Sequence, residues 1–222
     1  MEIIIEKVTK YYQEFIAVKD VSLKLEKGKI YCLVGDSGSG KTTLMKIMSG
    51  LLYPTSGHVY YDGISIYETK GNYLAEHRNR NIGFVFQDFF LEEKLSVFEN
   101  VSVPLLIRGQ KNKNTLENAV QEALEAVDLL PKTRQIAGTL SGGEKQRAAI
   151  ARAIVGKPKI IFADEPTGNL DSKNSNRIIE LLKDLNKLGH TIFLVTHNQN
   201  IATTIPNKFQ MIDGEVTVMS DV

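Results

Sequence analysis

One stretch, residues 35–43 with the sequence GDSGSGKTT, constrains the fold more than any other part of the chain. The apolar run Ile30–Val34 precedes it and is typical of a buried strand, and apolar residues at helical spacing follow it, from Leu44 to Leu51. A strand, a glycine-rich loop and a helix in this order are the setting in which G-x-x-x-x-G-K-[ST] binds phosphate. The sequence therefore predicts a phosphate loop in a parallel α/β core rather than a flexible glycine turn.

Each residue type in this loop has a chemical reason to be there. Gly35, Gly38 and Gly40 allow backbone conformations that a Cβ would forbid, so that successive N–H groups form an anion nest at a helix N-terminus. The Lys41 ammonium can reach the β- and γ-phosphates of a nucleotide, and the Thr42 hydroxyl can ligate Mg²⁺. The other members of the predicted nucleotide-binding loop are Asp36, Ser37, Ser39 and Thr43. We therefore predict that a nucleoside triphosphate binds here with Mg²⁺.

The composition limits the class of protein. The 222 residues are 42% hydrophobic, which is enough for a sizeable core, and their formal net charge of +1 gives no electrostatic case for nucleic acid or an anionic membrane surface. The single Cys32 excludes an intramolecular disulfide. No apolar run approaches the roughly 18 residues that a membrane span needs, and the acidic N-terminus is unlike a signal peptide. These features favour a soluble protein of a reducing compartment.

Strand and helix patterns divide the chain. Apolar runs at residues 2–8, 17–25 and 58–61 predict an antiparallel sheet, and runs at 82–86, 159–163 and 191–196 extend the parallel core. Helices dominate from 88 to about 155, among them the amphipathic segment Thr115–Leu130, and a further helix is predicted for Ser172–Leu188. The last hairpin turns at Asp213-Gly214, a type I′ signal. We expect one domain, in which about 1–87 and 156–222 form the core with a β subdomain, and about 88–155 form a helical subdomain.

Two carboxylates follow the buried strand at 159–163. An acidic pair after a strand is usually a solvated turn, but the C-terminal edge of a parallel sheet is where ligands bind. Asp164 suits the Mg²⁺ shell, and Glu165 can position or activate a water for attack on the γ-phosphate. With the phosphate loop, this pair predicts the second half of a nucleotide site.

A second helix start with glycines lies at residues 140–147, LSGGEKQR. Ser141 and Glu144 have the spacing of a capping box, which alone describes an ordinary helix start. Gly142 and Gly143 nevertheless leave bare N–H groups at a positive helix end, a second phosphate binder on one chain. Because one nucleotide needs only one phosphate loop, we predict that this helix serves the ATP of another copy.

The phosphate loop, the LSGGEKQR helix and the Asp164-Glu165 strand together resemble the ATP-binding subunits of ABC transporters, over nearly the whole chain. The resemblance implies an α/β fold, a RecA-like P-loop NTPase core with an antiparallel β subdomain and a helical subdomain specific to that family. It also implies ATP hydrolysis coupled to transmembrane movement of substances.

The resemblance assigns roles to residues that the pattern alone could not. It implies that Tyr12 stacks on adenine (adjacent Tyr11 leaves the register open) and that His197 contacts the γ-phosphate. It implies that Gln87 touches Mg²⁺ and water and couples to a membrane partner. The implied catalytic residues are Glu165, His197, Gln87 and Lys41, the implied metal ligands are Thr42, Gln87 and Asp164, and Asn169-Leu170-Asp171 matches the loop that crosses to the other subunit.

The resemblance also implies partners. Two copies are expected to bind head to tail around two ATP, each phosphate loop facing Ser141 and Gly143 of the other copy. A separate integral membrane permease subunit is implied, which would place this chain on the cytoplasmic face of the cell membrane as a peripheral protein. Phe89-Phe90-Leu91 is either part of the helical core or part of the groove for that partner. No nucleic acid partner is expected.

Within the family, the segments at 82–87, 99–101 and 163–171 resemble the branch of lipoprotein-release, macrolide-export and cell-division ATPases. This branch implies an exporter of peptide, lipoprotein or antimicrobial compound. The alternative is an ATPase that regulates a membrane protein mechanically without moving a solute, as the cell-division relatives do. A soluble ABC ATPase of DNA repair or translation is disfavoured because the chain has neither a long coiled coil nor two fused cassettes.

Overall fold

The computed structural model describes residues 1–69 and 71–219 of the chain. The backbone forms two compact units, one from Met1–Arg78 with Asn186–Val222 and the other from Asn79–Leu185. The helical subdomain expected at about 88–155 stays a prediction. Within the described part, no helix combines the length and the apolar character that a membrane crossing requires.

In chain order the strands are β1 (Ile3–Tyr12), β2 (Phe15–Leu25), β3 (Ile30–Val34), β4 (Ser56–Tyr61), β5 (Ile64–Ser65), β6 (Ile82–Val85), β7 (Ile160–Asp164), β8 (Thr191–Thr196), β9 (Asn207–Ile212) and β10 (Glu215–Met219). The α-helices are α1 (Lys41–Met48), α2 (Tyr73–Asn81), α3 (Val97–Ile107), α4 (Lys113–Glu125), α5 (Gly142–Ile154), α6 (Ser172–Lys187) and α7 (Gln199–Ala202). The strands expected from apolar runs are all present, with bounds that differ by a few residues.

The first unit contains the predicted antiparallel sheet, in the strand order β2-β1-β4-β5. Ile3 of β1 pairs with Leu25 of β2 on one side and with Tyr61 of β4 on the other. All three side chains are buried, because successive residues of a strand alternate between its faces and these lie on the core face. A two-residue turn joins β1 to β2 and leaves Tyr12 opposite Phe15.

The first unit also contains parallel strands. β3 pairs with β8 and β9, and every residue of β3 and β8 is buried, as expected for parallel strands covered on both faces. Val34 pairs with Thr196, so that the segments following β3 and β8 leave the same edge. β9 turns into antiparallel β10 through Asp213 and Gly214, whose φ angles of 46° and 83° match the predicted type I′ turn.

The second unit pairs β6 with β7 in parallel and surrounds them with helices. The apolar face of α5 is deeply buried, with Ala148, Ala149 and Ile150 fully covered. The helix predicted at Thr115–Leu130 is α4, which is capped by the Asn112 side chain and ends at Glu125. That prediction ran too far because the chain reverses at Asp128, where φ is 53°.

Helix α2 was not foreseen from the sequence, and the reason is physical. None of its residues is buried, so it lacks the apolar periodicity from which amphipathic helices are recognised. Its Arg78 side chain donates a hydrogen bond to the Gly50 carbonyl, 2.8 Å away, at the end of the α1 segment. Polar anchoring of this kind leaves no repeat in the sequence.

Candidate active site

The glycines of the phosphate loop are required for two different reasons. Gly38 and Gly40 have φ angles of 85° and 104°, which favour glycine over other residues. Gly35 does not, but a Cβ there would lie 2.2 Å from the Met211 carbonyl oxygen. Gly38 and Gly40 therefore have the backbone conformation for which glycine was predicted. For Gly35 that prediction is wrong, because glycine is needed there for close packing against β9.

The Lys41 side chain folds over the loop from the first turn of α1. Its ammonium donates hydrogen bonds to the carbonyl oxygens of Gly35 at 2.8 Å and Asp36 at 2.7 Å. The residue is buried, although it is charged. The loop backbone thus holds a cation beside its own N–H groups, and both attract the same negatively charged ligand.

The start of α1 has no side-chain cap of its own. Its N-cap is Gly40, and the first turn contains no acidic residue. The Ser39 hydroxyl is buried and has no hydrogen-bond partner among the described residues. A helix start without a side-chain cap, a buried hydroxyl and a lysine fit the phosphates of a nucleotide. The exposed Asp36 and Ser37 and the half-buried Thr42 and Thr43 complete the loop.

A cavity of about 270 Å³ adjoins this loop. It is lined by two aromatic residues of the β1–β2 hairpin, Tyr12 and Phe15, and by Ala17, together with loop and α1 residues: Gly38, Gly40, Lys41, Thr42 and Thr43. The structure thus brings Tyr12, proposed for the nucleobase, to the phosphate loop. Phe15 belongs to no motif and was not predicted from the sequence, although the two-residue spacing of a tight hairpin would have paired it with Tyr12.

His197 is placed by strand register. It follows Thr196, the residue of β8 that pairs with Val34, and Val34 immediately precedes Gly35. The histidine and the start of the phosphate loop therefore leave adjacent strands at one edge of the parallel sheet, where ligands of such sheets bind. The side chain of His197 is exposed. Of the four histidines, this one has a structural reason to meet the nucleotide.

In the second unit, register brings Gln87 and the acidic pair to one edge. Val85 pairs with Ala163, so that the residues after β6 and those at the end of β7 lie side by side. Asp164 and Glu165 are half-buried. Glu165 has a φ of 45°, an unfavourable angle for a residue other than glycine, and its carbonyl accepts a hydrogen bond from the Gly168 N–H at 3.0 Å. Eight other described residues besides glycine also have positive φ, so this angle describes the turn at the end of β7 and does not by itself mark function.

Asn169 holds the backbone and side chain of Gln87. The Gln87 amide donates to the Asn169 side-chain oxygen at 3.3 Å, and the Asn169 amide donates to the Gln87 carbonyl at 3.2 Å. A Cβ at Gly168 would come within 2.9 Å of the Gln87 amide carbon. The loop after Glu165 is thus shaped around Gln87, a contact that the sequence did not reveal.

Gln146 of α5 joins the two loops. It is fully buried, and its amide donates to the Pro166 carbonyl at 2.7 Å and to the Phe86 carbonyl at 3.3 Å. These carbonyls belong to the residues directly after Glu165 and directly before Gln87. One side chain on the LSGGEKQR helix therefore fixes the backbone of both functional loops. No sequence signal short of its place on a buried helix face would have found it.

The Glu144 carboxylate satisfies part of the hydrogen-bonding capacity at the start of α5. The Glu144 carboxylate accepts hydrogen bonds from the Ser141 N–H at 2.9 Å and the Ser141 hydroxyl at 2.8 Å, and it pairs with Lys132. Its contact with Lys132, then the Ser141 N–H, lower the pKa of Glu144 to about 2, so that it stays charged at neutral pH. Glu144 forms a capping box with Ser141, so that the N–H groups of Gly142 and Gly143 remain for an external acceptor.

Two adjacent glycines at this helix start differ in what they exclude. A Cβ at Gly143 would lie 2.5 Å from the Asn174 side-chain oxygen, which is itself fixed because Asn174 donates to Asp171 at 2.7 Å. A Cβ at Gly142 would meet nothing closer than a Leu170 methyl at 3.4 Å, an ordinary contact, and Gly142 is exposed. This chain therefore explains why residue 143 is glycine but not why residue 142 is.

The oxygen donors proposed for Mg²⁺ fit that ion chemically. Thr42 supplies a hydroxyl, Asp164 a carboxylate and Gln87 an amide oxygen, and hard cations prefer such ligands. Among the described residues, no three histidine, cysteine or acidic side chains are grouped so that they could hold a metal ion. Mg²⁺ normally needs only one or two carboxylates when substrate phosphates and water complete its shell. These donors therefore suit an ion that arrives with a nucleotide.

Known proteins resemble this chain in sequence and in fold. A family model described as ABC transporter matches residues 18–168. The lipoprotein-releasing system ATP-binding protein LolD of Syntrophotalea carbinolica is 45% identical over 198 residues, which cover 89% of this chain and 87% of that protein. LolD 1 of Chlorobium chlorochromatii is 38% identical over 200 residues, or 90% of this chain and 81% of that protein. A dimeric structure of a post-hydrolysis state of the ATP-binding cassette MJ0796, bound to ADP and Pi, has a TM-score of 0.88 at 36% identity and covers 99% of this chain and 100% of its own.

Proposed function

We propose that this chain, which belongs to the ABC transporter family, is the ATPase of a lipoprotein-release type transporter. The family and the fold class are those predicted from the sequence, and both are confirmed. Family membership fixes the chemistry as ATP hydrolysis coupled to transport. The finer assignment is supported by the relatives named LolD, which align with about nine-tenths of this chain.

One observation carries the ATP-binding role of this particular chain. The start of α1 combines an uncapped helix, the buried and unpartnered Ser39 hydroxyl and the buried Lys41 ammonium. Burying a hydroxyl without a partner is costly, and the two carbonyl oxygens that accept hydrogen bonds from Lys41 do not neutralise its charge. A triphosphate would satisfy all three, with Lys41 at its β- and γ-phosphates and Thr42 at the Mg²⁺ ion that neutralises developing charge.

We assign hydrolysis to Glu165, with Gln87, His197 and Asp164 in supporting roles. Glu165 orients the attacking water and accepts its proton. Gln87 would contact this water and Mg²⁺, and Asp164 would belong to the ligand shell of Mg²⁺. His197 hydrogen-bonds the γ-phosphate from the edge of β8. The register that brings the end of β7 beside the residues after β6, and the hydrogen bonds that fix Gln87, support this assignment.

A second copy of the chain completes the site in this proposal. Gly142 is glycine for no reason internal to the chain, so we infer that its missing side chain leaves room for the ATP held by another copy. The N–H groups behind Ser141 then stabilise charge that develops on the γ-phosphate, and they do so only when two copies close. Structures of a relative that are described as dimeric support this arrangement.

Replacement of Lys41 by alanine tests the ATP site. The change removes the loop's cation at the phosphates, so we expect ATP binding to be lost or unproductive. Equilibrium binding and phosphate release measure this. Lys46→Ala is the matched control, because Lys46 is an exposed lysine on the same helix. A Lys41→Ala protein that hydrolyses ATP at nearly the wild-type rate would contradict the site.

A further inference from the structure

Two aromatic rings stand side by side at the end of the β1–β2 hairpin. Tyr12 and Phe15 are directly opposed in the antiparallel pair. Directly opposed residues project to the same face of a sheet, with Cβ atoms about 5 Å apart. The turn between them, Gln13 and Glu14, is too short to let either strand end rotate away from the other. The two rings therefore face the same ligand space.

Both rings line the cavity that contains the phosphate loop. Its other walls are Ala17 and the backbone-rich loop with Lys41. The cavity thus has one part that attracts anions and one part that is aromatic. A nucleotide has the same division, with charged phosphates at one end and a flat π-system at the other.

Packing within the chain does not explain a phenylalanine at position 15. Phe15 leaves 60% of its surface exposed, and Tyr12 leaves 47%. Most of the stabilisation that full burial of a Phe ring provides is therefore not gained within this chain. The next exposed positions along β2, Lys19 and Asp20, are charged, as is usual for a solvated strand face. A ring at position 15 is explained if a ligand covers it.

Tyr12 alone offers only one free face. The Lys10 ammonium lies 5.5 Å from the centroid of the Tyr12 ring and is held there by a hydrogen bond to the Tyr53 carbonyl at 2.8 Å. A cation over one face of an aromatic ring is attracted to its π-electrons and occupies that face. A planar base can therefore stack on the opposite face of Tyr12, and any further base contact must come from another side chain.

We propose that Phe15 is a second nucleobase-binding residue, which contacts the purine while Tyr12 stacks on it, so that both aromatic side chains of the hairpin touch the base. This inference rests on the proposed function only in that it presumes a nucleotide at the phosphate loop. Ring contacts do not read the hydrogen-bonding edge of a base, so Phe15 strengthens adenine and guanine nucleotides alike. Its contribution is separate from that of the loop, which binds phosphates whether or not a base is attached.

Binding of three ligands to the Phe15→Ala protein tests this separation. We expect ATP and GTP to bind about five- to one-hundredfold more weakly than to the wild type, the range for losing one base-contacting ring. Inorganic tripolyphosphate, which lacks a base, should bind equally to both proteins. Leu188→Ala is the control, because Leu188 is 75% exposed, lies in the same unit and does not line the cavity. Phe15→Leu should give an intermediate loss.

The chain contains no tryptophan, which makes a direct optical test available. In Phe15→Trp the only indole lies at the proposed base contact, and we expect ATP to change its emission strongly. Tripolyphosphate should leave the emission nearly unchanged. Leu188→Trp is the matched reporter and should respond to neither ligand.

The outcomes separate this inference from the proposed function. If the wild type binds neither ATP nor tripolyphosphate, the proposed function fails. If the wild type binds both and Phe15→Ala binds ATP as tightly as the wild type, Phe15 has no role in base binding. If Phe15→Ala loses tripolyphosphate and ATP equally, the ring supports the loop rather than the base, and the inference is overturned as well.

Discussion

At the scale of single residues, Glu165 combines the chemistry of a base with a strained backbone. A positive φ costs a residue other than glycine about 1 kcal/mol, because its Cβ crowds the neighbouring carbonyl. The Gly168 N–H donates to the Glu165 carbonyl and closes the turn that follows. A glycine at 165 would remove the strain, yet the sequence keeps a carboxylate there.

Substitutions at Glu165 should therefore separate activity from stability. Glu165→Gln keeps the shape and removes the base, so hydrolysis should fall by roughly 10²- to 10⁴-fold while ATP still binds. Glu165→Gly should be equally inactive but about 1 kcal/mol more stable than Glu165→Ala, because only alanine keeps the strain. Steady-state phosphate release and chemical unfolding measure the two effects. Glu125→Gln, at an exposed position of α4, is the control. Normal turnover by Glu165→Gln would remove Glu165 from the mechanism.

At the scale of elements, α5 acts as a frame for the loop after β6. Gln146 holds the carbonyl of Phe86, and the Arg152 guanidinium donates to the carbonyls of Phe89 and Phe90. Burial lowers the pKa of Arg152, but a guanidinium stays charged at any physiological pH. Phe90 is 65% exposed, which does not fit the interpretation of this ring as helical core. Its place in a groove for a partner stays a prediction.

A second exposed apolar surface lies on α3. Val103, Leu106 and Ile107 are three and four positions apart, so they share one side of the helix, and Ile107 is 71% exposed. We propose that this ridge contacts the membrane subunit. Leu106→Asp should lower stimulation of ATP hydrolysis by that subunit, in reconstituted vesicles, by more than it lowers basal hydrolysis. Leu188→Asp, a similar change in the other unit, is the control. Equal loss of both activities, with a lower melting temperature, would show that the ridge supports the fold instead.

The sequence predicted local structure well because local structure is periodic. Apolar runs gave the strands, and the phosphate loop followed from its pattern between a strand and a helix. The register between strands could not be predicted, because no pattern around Thr196 indicates that β8 pairs with β3. This pairing is what places His197 and Gly35 at the ends of adjacent strands. The same holds for Gln146, whose two acceptors lie 60 and 20 residues away in the chain. Patterns reveal which residues are special, and the fold decides which of them meet.

Considered as one molecule, the chain presents the start of the LSGGEKQR helix at its surface. Inside the chain its first turn is finished on the Glu144 side, where that carboxylate takes both the Ser141 N–H and Lys132. The exposed Ser141 and Gly142 are not used in packing. A helix start with some N–H groups bonded inside the chain and others exposed is an incomplete binding site for an anion. A second copy with its own ATP would complete it.

Arginine at Ser141, in a Glu165→Gln background, tests this arrangement directly. Because hydrolysis is what opens the proposed dimer, Glu165→Gln with ATP should run as a dimer in gel filtration, at fixed salt so that screening is constant. Adding Ser141→Arg places bulk and charge at the shared surface, so this double variant should bind ATP and remain a monomer. Gln121→Arg, an equal change at an exposed position of α4, should leave the dimer intact. A Ser141→Arg double variant that still dimerises with ATP would show that this helix does not face the second copy. If the Glu165→Gln protein binds ATP and stays monomeric, the catalytic role of Glu165 would stand, but ATP would not close two copies into a dimer.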